Sequence, residues 1–175
     1  MNYATIKWTD ISNGEGVRIS LFVSGCTRRC KNCFNAVAWD FNYGSPFTEE
    51  VQESILKGLQ ADYIAGLSLL GGEPLEPGNQ RALLPLVREV KKRFPSKSIW
   101  CYTGNTFNPE TGLLKEKDKN TEITEELLSY IDVLVDGEFI EAEKNIRLKF
   151  RGSSNQRVLD VKKSKILKKP VFYLD

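Results

Sequence analysis

The chain has 175 residues, 41% hydrophobic and 27% charged, with a net charge of +2, values typical of one soluble globular domain. No stretch approaches the roughly 20 apolar residues of a membrane span, and the N-terminus lacks the pattern of a signal peptide. Histidine is absent, which excludes catalytic triads, the usual general base and the commonest zinc ligand. We expect a single cytoplasmic domain over residues 1–175, with no membrane partner.

The apolar pattern predicts strands that alternate with helices along the chain. Helices are expected to begin at Thr48, where a hydroxyl cap precedes two acids, and at Thr124. Another helix covers 83–94, where Pro85 must kink it or occupy its first turn. The predicted strands cover 3–8, 17–23, 64–70, 97–103, 131–135 and 158–161.

This alternation predicts an α/β fold with a mainly parallel, curved sheet and right-handed crossovers. About four such units are too few for a closed eight-stranded barrel, so we expect an open, partial (βα) barrel. Several polar or glycine-rich turns follow the carboxyl ends of predicted strands, and in parallel sheets those ends share the edge where ligands bind.

Two segments fall outside this core pattern. The polar stretch 105–120 predicts an exposed excursion, because it combines proline, glycine and many charges. Residues 158–175 are expected to form a basic C-terminal extension. We interpret the basic end as solvated surface, with a docking patch for an acidic partner or nucleic acid as the alternative, and we expect no nucleic acid.

Three of the four cysteines, Cys26, Cys30 and Cys33, lie in one loop directly after the strand 17–23, far from Cys101. In a cytosolic chain this clustering indicates metal binding or catalysis rather than disulfides. At these spacings each thiolate can ligate one iron of a cubane cluster, which leaves the fourth iron open for another ligand. Basic residues between the cysteines are expected to lower the pKa of the thiols: Arg28, Arg29 and Lys31.

Two other interpretations of the cysteines stay open. In the first interpretation the three thiols are buried apolar side chains, but the polar residues between them disfavour this. The second is a structural zinc site, for which Cys101 or a carboxylate must supply the fourth ligand.

A second motif, Gly71-Gly72-Glu73-Pro74, follows the strand 64–70. Its two glycines permit a close approach of backbone to a ligand, and free amide and carbonyl groups can pair with a substrate's amino group. The alternative is an ordinary turn between a strand and a helix.

The cysteine loop resembles the radical S-adenosylmethionine superfamily, whose hallmark is three cysteines at this spacing. Asn32 stands where the superfamily usually has an aromatic residue, whereas Phe34 follows the third cysteine, as in its glycyl-radical-enzyme activase branch. Three later blocks, 100–104, 132–139 and 151–157, resemble in order the activases of anaerobic ribonucleoside-triphosphate reductases. The resemblance covers about residues 3–160.

The resemblance implies a [4Fe-4S] cluster whose open iron is chelated by S-adenosylmethionine. One electron from an external donor, such as a flavodoxin-type protein, then yields methionine and a 5′-deoxyadenosyl radical. The radical removes a hydrogen atom from a glycine of the partner reductase. The alternatives are a superfamily member acting on a small molecule and a zinc-stabilised binding module. The implied catalytic and metal-ligating residues are Cys26, Cys30 and Cys33, and the implied cofactor-binding residues are Asn32, Cys33, Phe34, Gly71, Gly72, Glu73, Pro74, Thr103 and Asp136.

Overall fold

The computed structural model describes residues 1–174, in which strands and helices alternate along most of the chain. The strands are Asn2–Asp10 (β1), Val17–Val23 (β2), Ser45–Pro46 (β3), Ile64–Gly71 (β4), Ser98–Tyr102 (β5), Phe107–Asn108 (β6), Leu113–Leu114 (β7), Val133–Asp136 (β8), Arg157–Asp160 (β9) and Phe172–Leu174 (β10). The α-helices are Glu49–Gly58 (α1), Pro77–Arg93 (α2), Thr124–Tyr130 (α3) and Val161–Leu167 (α4). Short 3-10 helices cover Ala36–Trp39, Lys117–Lys119 and Glu141–Glu143.

One large sheet has the strand order β10-β9-β8-β5-β4-β2-β1-β3. Its centre is parallel, because β2, β4, β5 and β8 pair in that direction. Both flanks are antiparallel: β1 pairs with β2 and β3 on one side, and β9 pairs with β8 and β10 on the other. The α/β class is confirmed, whereas the sheet predicted to be mainly parallel is parallel only at its four central strands.

Local signals explain where the helices begin. The Thr48 hydroxyl accepts a hydrogen bond from the Val51 amide, which caps α1 ahead of two acidic residues in its first turn. Pro77 occupies the start of α2, where a missing N–H costs no hydrogen bond. Pro85 lies inside α2, which continues to Arg93, so its alternative placement in the first turn is wrong.

The two faces of the sheet carry different cores. On one face, strand residues pack against the helices in a large apolar cluster that includes Leu21, Leu69, Cys101, Leu56, Val87 and Leu128. On the other face, Trp100, Val133, Val135 and Val158 form a smaller cluster against which Phe150 packs. This alternation follows from the two-residue period of side chains along a strand.

Arg18 is a fully buried charge on the second face, with 1% of its surface exposed. Its guanidinium donates to the Ser68 hydroxyl at 2.8 Å, to the Leu67 carbonyl at 2.9 Å and to both the hydroxyl and the carbonyl of Ser98. One side chain of β2 therefore bonds to β4 and β5. Burial lowers the pKa of Arg18 to about 10, which leaves it charged at neutral pH.

The segment 105–120 is only partly exposed, so the expected exposed excursion is wrong. It contains the β6–β7 hairpin, whose Phe107 and Leu114 are 0% and 3% exposed and belong to the large apolar cluster. These two apolar residues bury the hairpin despite the run of charges that follows it at 115–119, because they supply a hydrophobic contact with the core.

The predicted basic extension 158–175 is also part of the sheet over its described residues. β9 pairs with β8 in the main sheet, α4 follows directly with Val161 and Ser164 buried, and β10 returns alongside β9. In residues 1–174, no helix is both long and apolar enough to cross a bilayer.

Candidate functional site

The cysteine loop begins where β2 ends, at the edge of the sheet formed by the carboxyl ends of the parallel strands. Gly25 has a φ of 98°, a backbone conformation that glycine adopts without strain. Its amide donates to the Ala38 carbonyl at 2.7 Å, and the Cys26 amide donates to the Trp39 carbonyl at 3.2 Å. The 3-10 helix Ala36–Trp39 thus lies against the start of the loop and fixes the position of Cys26.

Cys26, Cys30 and Cys33 are free thiols that are each partly exposed, whereas Cys101 is fully buried in β5. The Cys33 amide donates to the Cys30 carbonyl at 3.1 Å and closes a turn between them. Three accessible thiols therefore share one loop, and the fourth thiol lies in the core. Soft thiolate donors suit iron–sulfur clusters and zinc.

The three loop thiols do not converge on one point in this structure. Across residues 1–174, no three Cys, Asp or Glu side chains lie close enough together to hold a metal ion. The chemistry of the donor set fits an iron–sulfur cluster, in which each thiolate binds a different iron, so the three sulfurs need not meet at one point.

The expectation that basic residues lower the pKa of the loop thiols is wrong for two of them. Burial raises the pKa of Cys26, with a contribution from the Glu73 carboxylate. Burial and the Glu138 carboxylate raise the pKa of Cys30 to about 11, although Arg28 opposes the shift. The Arg28 guanidinium pairs with Glu116 at 3.1 Å and Glu138 at 3.7 Å, so its charge is already compensated by carboxylates.

The Gly71-Gly72-Glu73-Pro74 turn lies directly beside the cysteine loop. The Gly72 amide donates to the Val23 carbonyl at 2.7 Å, and the Glu73 amide donates to the Gly25 carbonyl at 2.8 Å. The sequence had led us to expect free amides here, and this expectation is wrong for these two. A Cβ atom on Gly72 would lie 2.6 Å from the Gly25 carbonyl oxygen, so this glycine is required for the close contact between the two turns.

Glu73 joins this turn to the one after β5. Its carboxylate is buried, and it accepts hydrogen bonds from the Leu75 amide at 2.8 Å, the Thr103 hydroxyl at 2.7 Å and the Gly104 amide at 2.8 Å. Burial raises the pKa of Glu73, while these three hydrogen bonds oppose the shift. Glu73 and Thr103 are therefore brought together as expected, but they face each other inside the protein. Pro74 is buried beside them.

Asp136, at the end of β8, is fully buried in an ion pair with Arg157 of β9. Both carboxylate oxygens accept from the Arg157 guanidinium, and one also accepts from the Phe107 amide at 2.8 Å. The carboxylate therefore holds the β6–β7 hairpin and the antiparallel strand against the edge of the sheet. Arg157 belongs to the block 151–157 that the sequence analysis singled out, but the sequence did not indicate that Asp136 is its partner.

Asn32 and Phe34 lie on the outer part of the loop. Asn32 has a positive φ of 58°, and its side-chain amide donates to the Glu141 carboxylate. Phe34 is 92% exposed and meets Phe139 edge to face, with ring centroids 6.4 Å apart. The loop is thus connected to the segment that follows β8.

An open groove of about 980 Å³ runs along the cysteine loop. Its walls include Cys26 and Arg29 on one side and the segment 36–43 on the other. Val37, Phe41 and Tyr43 in that segment are 55%, 45% and 39% exposed. Exposed apolar side chains in a groove are typical of an interaction surface.

Comparison with known proteins shows extensive similarity. Residues 12–159 match the family model described as "4Fe-4S single cluster domain". The chain is 44% identical over 158 residues to the anaerobic ribonucleoside-triphosphate reductase-activating protein of Pasteurella multocida (strain Pm70), covering 89% of this chain and 95% of that protein. Proteins of the same name from Enterobacteria phage T4 and Escherichia coli (strain K12) are 40% and 39% identical over 160 residues, 90% of this chain and 93% and 97% of theirs.

Proposed function

Because the chain belongs to the family of anaerobic ribonucleoside-triphosphate reductase-activating proteins, we propose that it activates such a reductase by generating a glycyl radical on it. The observation that carries the proposal is the 44% identity over 89% of the chain, together with the match to a 4Fe-4S domain. The free, accessible thiols of the cysteine loop support it, because they supply the donors that such a cluster needs.

In this proposal Cys26, Cys30 and Cys33 hold three irons of a [4Fe-4S] cluster. When bound, the cluster supplies the single electron that cleaves S-adenosylmethionine into methionine and a 5′-deoxyadenosyl radical, the species that takes a hydrogen atom from the reductase glycine. An external one-electron donor of the flavodoxin type restores the electron. The protein itself orients the substrate and limits the access of water, and it needs no histidine base.

The residues around the loop have different proposed roles. We assign the carbonyl groups of Gly71 and Gly72 to the amino group of S-adenosylmethionine, because the Gly72 amide is already bonded to Val23. Asn32 and Phe34 are assigned to the outer side of the same ligand, since both lie on the exposed part of the loop.

Glu73, Pro74, Thr103 and Asp136 are assigned an indirect role in cofactor binding. Each is buried, and the three polar side chains are hydrogen-bonded within the protein. Because these bonds connect the turns at the carboxyl edge, we propose that the four residues keep the binding turns in place.

We further propose that the sheet is the open, partial (βα) barrel of radical S-adenosylmethionine enzymes. Its four parallel central strands and the cysteine loop at their carboxyl edge support this assignment. The open side then admits the glycine loop of the reductase. The exposed apolar groove beside Cys26 supports a protein substrate, because a small molecule would be enclosed more completely.

Electron spin resonance tests this function directly. The anaerobically reconstituted protein is mixed with the reductase, S-adenosylmethionine and a reductant, and the spectrum should develop a glycyl radical signal. The Cys30→Ala variant should give no signal although it still folds, and Cys101→Ala should give the full signal. Cleavage without a glycyl radical would indicate a small-molecule substrate, and purified protein that contains zinc without iron or sulfide would contradict both radical functions.

A further inference from the structure

Thr27, between the first two cysteines, is bonded to two other parts of the chain. Its amide and its hydroxyl both donate to one carboxylate oxygen of Glu76, at 2.8 Å and 2.6 Å. The Lys119 ammonium donates to the same hydroxyl at 2.6 Å and to the other Glu76 oxygen at 2.9 Å. Glu76 precedes α2, and Lys119 ends the 105–120 segment, so three distant segments meet at Thr27.

The Glu76–Lys119 pair is largely shielded from water, although Thr27 itself is exposed. The Glu76 side chain is 4% exposed and the Lys119 side chain is 13% exposed. Gln80 of α2 donates to the Lys119 carbonyl at 2.7 Å and so fixes the backbone from which the ammonium extends. Charge-assisted hydrogen bonds of this kind fix the position of the groups they join. Removing either charge of the pair leaves the other one largely buried and uncompensated.

The next residue of the loop, Arg28, is bonded to the same segment. Its guanidinium donates to the Asn105 side chain at 2.9 Å and to the Glu116 carboxylate at 3.1 Å. The Arg28 side chain lies across Gly104, where a Cβ atom would come within 2.5 Å of it. The stretch from Cys26 to Cys30 is therefore bonded on two successive residues to the 105–120 segment.

We propose that Glu76 and Lys119 are positioning residues that hold the Cys26–Cys30 stretch through Thr27, so that the cysteine loop retains its iron–sulfur cluster. The inference rests on the proposed function only in taking these cysteines as cluster ligands. It assigns a role to the 105–120 segment, which the sequence had suggested was a surface excursion. Residues that orient metal ligands from behind typically change metal affinity or activity about 10- to 100-fold when they are replaced.

A purely structural ion pair would have a different signature, and the chain contains a matched control for it. Arg81 of α2 and Glu122 form a second pair, at 3.2 Å, between the same helix and the residues just after Lys119. Their side chains are 53% and 69% exposed, and their bonds do not include the cysteine loop. A variant of Arg81 therefore removes a cation between the same two elements without touching Thr27.

The experiment compares Lys119→Met with Arg81→Met in the anaerobically reconstituted protein. The first measurement is the rate at which an iron chelator removes the cluster, and the second is hydrogen exchange of the amides over residues 26–33. Lys119→Met should release the cluster about 10- to 100-fold faster than wild type and exchange faster over the loop. Arg81→Met should match the wild type in both.

Two further variants separate positioning from stability. Thr27→Val keeps the Glu76–Lys119 pair and the amide bond but removes the shared hydroxyl, so it should release the cluster at an intermediate rate in a protein that folds normally. Exchanging the charges, with Glu76→Lys and Lys119→Glu, restores an ion pair but leaves the Thr27 amide without its carboxylate, and cluster release should stay fast.

The inference is overturned if Lys119→Met and Arg81→Met release the cluster equally slowly, or if the charge exchange restores wild-type retention. It is independent of radical chemistry: a protein that holds a cluster but does not cleave S-adenosylmethionine would refute the proposed function and leave this test intact. If the wild type takes up no cluster, loop amide exchange decides, and equal exchange in Lys119→Met and wild type refutes the role of Lys119.

Discussion

Replacing Thr103 by valine tests the connection between the two turns at the carboxyl edge of the sheet. The substitution keeps the shape of the side chain and removes one hydroxyl. The whole Thr103 residue is only 5% exposed. That hydroxyl donates to the Glu73 carboxylate at 2.7 Å. It also accepts from the backbone amide of Asn105 at 3.0 Å and from the Asn105 side chain at 3.1 Å.

The magnitude follows from these three bonds. A hydrogen bond to a charged acceptor contributes about 1.5–3 kcal/mol, and each buried donor left unpaired costs about 1–3 kcal/mol. Water cannot readily replace the hydroxyl of Thr103, because both Glu73 and Asn105 are buried. We therefore expect Thr103→Val to lower the free energy of unfolding by about 3–4 kcal/mol, near the lower end of the sum of these contributions.

Equilibrium unfolding in urea, under argon with a thiol reductant, measures this change. The buried Trp100, in the strand that leads to Thr103, provides a fluorescence signal for the transition. The slope of the free energy against urea concentration should stay the same, because the variant exposes the same surface on unfolding.

Thr106→Val is the matched control, since the Thr106 amide and carbonyl, rather than its hydroxyl, make its hydrogen bonds. It should change the free energy of unfolding by no more than about 0.5 kcal/mol. A loss below about 1 kcal/mol in Thr103→Val would refute the reasoning, because the loss of one ordinary hydrogen bond would then account for the whole effect.

Three other predictions concern groups that are buried or half-buried. Asp136→Asn leaves the Arg157 guanidinium without its partner and should lower the free energy of unfolding in urea by about 3–5 kcal/mol. Burial alone would raise the pKa of Asp132, but hydrogen bonds from Lys91 and other donors outweigh burial and lower this pKa from its usual value of 3.8. The ionised carboxylate therefore stabilises the fold above pH 3.8, and this stabilisation is lost as the pH falls through the lowered pKa. Asp132→Asn should flatten the acid limb of a titration of stability against pH. Cys101→Ala should lower the free energy of unfolding by about 1 kcal/mol and keep the iron content of wild type, since this thiol lies in the core.

Local signals in the sequence located most of the elements. The strand predicted over 17–23 coincides with β2, and the hydroxyl and acids at Thr48 mark the start of α1. The antiparallel flanks of the sheet were missed, because strand direction depends on how distant segments return. The burial of Phe107 was also missed, since one apolar side chain among polar residues gives no periodic signal.

The sequence predicts the donors of the candidate site but not its contacts. The spacing of Cys26, Cys30 and Cys33 predicts thiolate ligands from the sequence alone. The raised pKa of Cys30 depends on Glu138, which is remote in sequence. Likewise, the contact of Thr27 with Glu76 and Lys119 joins residues whose pairing no local pattern encodes. Sequence therefore indicates the chemistry of the loop, while the charges and bonds around it come from the tertiary fold.

The central claim is that the three loop cysteines hold a cluster that cleaves S-adenosylmethionine. The most direct measurement is an anaerobic cleavage assay with the reconstituted protein, S-adenosylmethionine and a one-electron reductant, in which 5′-deoxyadenosine and methionine are quantified. We predict that wild type and Cys101→Ala form both products in equal amounts and that Cys30→Ala forms neither. Substantial 5′-deoxyadenosine from Cys30→Ala, or none from wild-type protein with its full iron and sulfide content, would contradict the claim.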